Sequence, residues 1–124
     1  MKATLYNYRQ SPRKVRLVAG AIKGKSVPEA LNQLTFLVKR GADPIRKLLS
    51  SAVANAKNND GIEAENLVVK NVTVDKGMVM KRIEHKARGS ANILEKKMSH
   101  ITITLETKKE PVKKARAVKA KAKK

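Results

Sequence analysis

The sequence predicts an α+β domain in which three helices are flanked by strand-forming segments that build one small antiparallel sheet. Three observations carry this reading. Ile45, Leu48, Leu49, Ala52, Val53 and Ala56 fall at i, i+3, i+4, i+7, i+8 and i+11, a spacing that only a helix gathers on one face. Leu67 to Val74 is dense in Val, and Ile101-Thr102-Ile103-Thr104-Leu105 alternates with period two, as half-buried strands do. Between those strands, residues 75–100 carry seven cations and four large aliphatics, Val79, Ile83, Ile93 and Leu94, too few to form a core of their own.

Taken in order, Lys2 to Tyr8 alternates loosely and reads as a short strand. Ser11-Pro12 then places an N-cap residue before a proline at the first helical position, where its missing N–H costs nothing. The first helix runs through Val15, Leu17, Val18, Ala21 and Ile22 and stops at Gly24, which suits the left-handed position that ends helices. Ser26-Val27-Pro28-Glu29 has capping-box spacing and opens a second helix with Ala30, Leu31, Leu34 and Leu37 or Val38 as its stripe. Lys39, Arg40 and Gly41 suit its C-terminal end, and Phe36 is expected in the core. Asp43-Pro44 opens the third helix, and the turn formers Asn58-Asn59-Asp60-Gly61 close it.

A structureless loop as long as 75–100 would be unusual in a small domain. Two extended segments returning at Arg88-Gly89-Ser90 are expected instead, each about 40 Å long at ~3.3 Å per residue. A lone two-stranded ribbon is marginal in water, so such an arm needs a partner to hold it. Residues 1–107 thus form one domain, and 108–124, a Lys/Ala run with little to bury, form a tail expected to be disordered.

The 124 residues carry 29 Lys plus Arg against 10 Asp plus Glu, a net charge of +19. Of this, residues 75–100 hold +4 and residues 106–124 hold +7, so more than half lies outside the apolar segments. There is no Cys, which excludes disulfides, thiolate metal sites and Cys nucleophiles. No apolar run approaches the ~18 residues of a membrane span and no signal-peptide core follows Met1, so a cytosolic, unprocessed chain without membrane insertion is expected.

The first helix holds the sharpest local conflict. Arg13, Lys14 and Arg16 crowd its positive end, with Arg9 just upstream, although the dipole there favours anions by about 0.3–1 kcal/mol each. A bound phosphate reverses that sign; the competing reading, a merely solvated basic face, is disfavoured by the +19 on the whole chain. Lys23, Lys25, Lys39 and Arg40 extend the basic surface, and Lys81, Arg82, Lys86, Arg88, Lys96 and Lys97 stud the arm. These cations are the candidate RNA-binding residues. Three aromatics, Tyr6, Tyr8 and Phe36, argue against base-stacking platforms, and recognition is expected to run through phosphates and RNA shape.

Catalysis has little support. His85 and His100 are the two imidazoles and lack metal-ligand spacing, and Glu63 and Glu65 read as solubilising rather than as a catalytic pair. No metal, no cofactor and no homo-oligomer is expected. The rival is a histone-like or RNA-chaperone protein that coats nucleic acid without selectivity; it would bind duplex DNA as tightly as structured RNA.

Ser11-Pro12-Arg13-Lys14-Val15-Arg16-Leu17-Val18-Ala19, Gly24-Lys25-Ser26-Val27, Ser51-Ala52-Val53-Ala54-Asn55-Ala56, Val74-Asp75-Lys76-Gly77, Met80-Lys81-Arg82-Ile83, Ala87-Arg88-Gly89 and Ser99-His100-Ile101-Thr102 resemble, in order, the large-subunit ribosomal protein L twenty-two family. The resemblance covers about residues 3–105. It implies three helices packed on a three-stranded antiparallel sheet with a long protruding β-hairpin. It implies a structural role in the large subunit: binding its 23S-type ribosomal RNA, aiding assembly, neighbouring other large-subunit proteins, and lining the exit tunnel beside the nascent polypeptide. Ala87, Arg88, Gly89, Ser90 and Ala91 would then be the tunnel-facing tip, near the pocket used by macrolides. Where the family usually has Pro and Arg, this chain has His85 and Lys86, and Ser90 and Glu95 stand where it usually has Arg. Glu84 and Glu95 put anions into an arm expected to face phosphates.

Overall fold

The computed structural model describes residues 1–108. The chain runs β1 (Lys2–Tyr8), α1 (Pro12–Ile22), α2 (Val27–Phe36), α3 (Ala42–Asp60), β2 (Leu67–His85) and β3 (Ala91–Thr107), with 3-10 turns at Ala64–Asn66 and Ala87–Gly89. The sheet is antiparallel in the order β1-β3-β2, so the last strand is the central one. Apart from Lys108, the expected tail lies outside the described residues.

Burial follows the periodicities. Ile45, Leu48, Leu49, Ala52 and Ala56 of α3 are buried with Val15, Val18 and Ile22 of α1 and Val27, Ala30 and Leu34 of α2. They lie against one sheet face formed by Ala3, Leu67, Val69, Val74, Ile101, Ile103 and Leu105. The alternate residues of β3, Thr102 and Thr104, pair with Thr73, Asn71, Thr4 and Lys2 across the opposite face, which the helices leave open. Gly61 ends α3 at φ 65°, and in that left-handed turn the N–H groups of Gly61 and Ile62 reach the Lys57 and Ala56 carbonyls.

Several local expectations are corrected. Phe36 is 83% exposed rather than core, because it sits about 200° around α2 from Leu34 and so points away from the stripe. The second helix stops at Phe36, leaving Val38 exposed and Lys39 and Arg40 in a connection instead of a last helical turn. Gly41 is the residue before α3, buried at ordinary negative φ; a Cβ there would lie 3.0 Å from Gln10 Oε1. Neither Ser11 nor Ser26 makes a side-chain cap bond, so the capping box is absent, and Ser26 instead bridges to Val68.

The strands are also longer than their apolar segments. Beyond the Val74–Ile101 pair, β2 and β3 continue as a two-stranded arm, with Val79 opposite Lys97, Ile83 opposite Ile93 and His85 opposite Ala91. From Lys76 to His85 this ladder spans about 30 Å. Its tip is the expected turn: Arg88 and Gly89 take φ 58° and 75°, and the Ser90 N–H and hydroxyl both donate to the Ala87 carbonyl. No residue from 75–97 belongs to the core cluster.

Candidate nucleic-acid interface

The arm leaves the head beside the start of α1, and the angle between them opens a cleft of about 850 Å³. One wall carries Arg9, Gln10, Ser11, Lys14 and Arg40; the other carries Met80, Arg82, Glu95, Lys96, Lys97 and Met98. Six cations from α1, β2, β3 and the connections before α1 and α3 therefore line a common space, with one carboxylate among them. Such a concentration of like charge on walls of low dielectric focuses the field and attracts a polyanion.

Local geometry sets each wall. Tyr8 donates its hydroxyl to the Arg40 carbonyl at 3.2 Å, which holds the Arg40 backbone at the cleft rim. Burial pushes the Tyr8 phenol above its ordinary pKa, the nearby Arg40 charge partly opposing that shift. On the arm, alternation puts Met80, Arg82, Leu94 and Lys96 on one ribbon face and Lys81, Ile83, Ile93, Glu95 and Lys97 on the other, so the cleft is lined from both faces of the ribbon, by Met80, Arg82 and Lys96 and by Glu95 and Lys97. The α1 start contributes side-chain charge more than backbone donors, because Pro12 has no N–H and the Lys14 N–H is turned to Ser11 O at 3.0 Å.

The sequence-derived cations divide accordingly. Arg9, Lys14, Arg40, Arg82, Lys96 and Lys97 come together in the cleft. Arg13 and Arg16 are both exposed on α1, but Arg16 is turned onto β2, donating from Nε and Nη2 to the Val74 carbonyl at 3.1 and 2.8 Å. Lys23 is exposed beyond the other end of α1, and Lys25 donates to Gln33 Oε1. Lys39 is exposed beside Arg40, Lys81 faces Glu95 across the ribbon, Lys86 is paired with Glu84 at 3.2 Å, and Arg88 lies at the tip. Gln10, Ser11, Met80 and Met98 were not among the candidate RNA-binding residues, and line the cleft without a charge to announce them.

Glu95 is not a free anion. Its carboxylate accepts from Lys97, 3.1 Å away, and that bond, followed by the fields of Lys97, Lys76 and Lys81, holds it below the ordinary carboxylate pKa. It therefore stays ionised at neutral pH and occupies one cleft lysine. Glu95→Gln is expected to release Lys97 and steepen the salt dependence of RNA binding by about 0.7–0.9, measured by fluorescence anisotropy across a KCl series. Lowering the pH through the depressed pKa of Glu95 should act in the same direction.

No group of three or more His, Cys, Asp or Glu converges on one point among the described residues, and no helix there is long and apolar enough to cross a membrane. The family described as ribosomal protein L22p/L17e matches residues 3–106, which include the three helices, the whole arm and all but the outermost residues of the sheet. The chain is 49% identical over 100 residues to the large ribosomal subunit protein uL22 of Deinococcus radiodurans, covering 81% of this chain and 75% of that protein. It is 49% identical over 104 residues to uL22 of Thermotoga sp. strain RQ2, covering 84% of this chain and 65% of the relative. Against uL22 of Thermoanaerobacter sp. strain X514 the figure is 49% over 100 residues, covering 81% and 90%. Matching this family over nearly all of its described length, the chain belongs to the ribosomal protein L22p/L17e family.

Proposed function

We propose that the cleft between α1 and the arm grips the phosphate backbone of large-subunit ribosomal RNA, and that the arm carries Ala87–Ala91 into the polypeptide exit tunnel. As a member of its family the chain is a structural constituent of the large ribosomal subunit and not an enzyme. The observation that carries the finer reading is the convergence of Arg9, Lys14 and Arg40 with Arg82, Lys96 and Lys97 across one open space. Head and arm thus hold RNA between them, which supplies both the neutralisation and the support that an isolated ribbon lacks. In that position the chain assists subunit assembly, touches neighbouring large-subunit proteins, and lets its tip meet the nascent polypeptide.

Because the core cluster contains no arm residue, replacing 80–96 with an Asn-Gly turn should leave the helical circular-dichroism signal intact. The shortened protein should lose much of its affinity for large-subunit RNA and its place with large subunits in a density gradient. Collapse of the helical signal would show that the arm belongs to the core. Equal affinity of the full chain for duplex DNA would favour the histone-like reading.

A further inference from the structure

The joint where the arm leaves the head is bonded from three directions. On the outer strands β1 and β2 the ladder is irregular on both sides of β3, between Leu5 and Tyr8 and between Lys76 and Val79. Bulges bend and twist a strand, so this is where the arm's direction is set. The β1 irregularity includes Asn7, at φ 53°, whose N–H is taken by His100 Nδ1 at 3.1 Å, while the Tyr6 ring meets the imidazole edge-on at 5.4 Å. On the other side Gly77 gives the ring room: a Cβ there would lie 3.2 Å from His100 Nε2 and 3.3 Å from the Met98 carbonyl carbon. Below the sheet Ser99, fully buried, donates its hydroxyl to the Gln10 carbonyl at 2.5 Å. From α1, the Arg16 guanidinium makes its two bonds to the Val74 carbonyl, on the last core residue of β2 before the arm.

We propose that Arg16, His100, Ser99 and Gly77 are positioning residues that lock the bearing of the arm against α1, so that the two cleft walls stand at a fixed spacing before RNA arrives. Arg16 is then a strut and not a phosphate contact. The inference deepens the proposed RNA reading, but its first readout needs no RNA. A planar guanidinium can direct two converging bonds, from Nε and Nη2, onto one carbonyl oxygen, which a lysine ammonium on a flexible stem does not reproduce. A preset cleft binds without losing affinity to a population of misaligned arms, so freeing the joint lowers affinity by the fraction of chains left competent.

The chain lacks Cys, so Ser51→Cys on α3 and Asn92→Cys near the tip give two unique spin-label sites for a pulsed electron-electron resonance distance distribution. The parent should give a narrow distribution, and Arg16→Met, Arg16→Lys and Gly77→Val should each broaden it at least about twofold while the helical signal is kept. His100→Ala serves as the second approach if Gly77→Val does not fold. With large-subunit RNA, Arg16→Met should weaken binding several-fold at every salt concentration without changing the salt slope. A parent distribution already broad, or an Arg16→Met distribution as narrow as the parent's, overturns the proposal. So does a slope reduced by about 0.7–0.9 in Arg16→Met with the distance unmoved, the signature of a lost phosphate contact. Failure of the parent to bind RNA would overturn the cleft reading and leave the distance result to judge the joint.

Discussion

Replacing Arg9, Lys14, Arg82 and Lys96 with Gln is expected to reduce the slope of log affinity against log salt for large-subunit RNA by about 3, since each phosphate contact contributes roughly 0.7–0.9. Between 1 M and 0.1 M salt that difference accumulates, so binding at 0.1 M should be weaker by about a thousandfold. Two of these cations come from the head wall and two from the arm wall. A control that neutralises the exposed Lys47 and Lys57 on α3 together with Lys23 and Lys70 removes the same charge from elsewhere on the surface. If the cleft is the site, the control changes the slope by much less; if the charge acts as a diffuse coat, both quadruple variants behave alike. Anisotropy titrations from 0.1 to 0.4 M KCl separate the two outcomes. All four cleft residues lie on the surface, where single charges contribute little to folding, so the variant's melting curve should stay close to the parent's.

Leu49→Ala should be among the most damaging single truncations for the fold. Leu49 is fully buried in the cluster with Ile45, Ala52 and Ile101, so its truncation opens a cavity in a close-packed core. The expected loss is about 2–5 kcal/mol, a large part of the ~5–15 kcal/mol by which such domains are stable. Urea unfolding followed by helical circular dichroism would show it as a lowered midpoint with an unchanged slope. Ile83→Ala on the arm removes a residue that is 69% exposed and should cost less than about 0.5 kcal/mol. The contrast measures how far stability resides in the head alone.

The parts legible in the sequence are those governed by local periodicity. The third helix is written in a single repeating stripe, and Arg88-Gly89-Ser90 marks the tip because the turn needs left-handed backbone that Gly89 supplies freely. The arm was legible as two extended segments returning at Arg88-Gly89-Ser90, but its register was not, since past Val74 no apolar face leaves a period-two signature. Phe36 misled because hydrophobic character predicts burial only in phase with the helix stripe, and it lies out of phase.

For the site, charge showed which residues were available but not how they are grouped. Arg16 sits among Arg13 and Lys14 in the sequence, and only the approach of β2 to α1 reveals that its guanidinium is committed to Val74. Likewise Arg9 and Lys96 are 87 positions apart in sequence and share a cleft because β3 is the central strand and carries the arm past the start of α1. Glu84 and Glu95, which look disruptive in a basic arm, are each tied to a lysine two residues away.

The central claim is that one stretch of ribosomal RNA backbone lies between the head and the arm. Photo-crosslinking amino acids placed at Lys14 and at Lys96 in assembled large subunits test it most directly. The account predicts that both positions crosslink to large-subunit RNA at nucleotides within the same few-residue segment. Crosslinks from the two positions to unrelated RNA segments, or to protein alone, would contradict it.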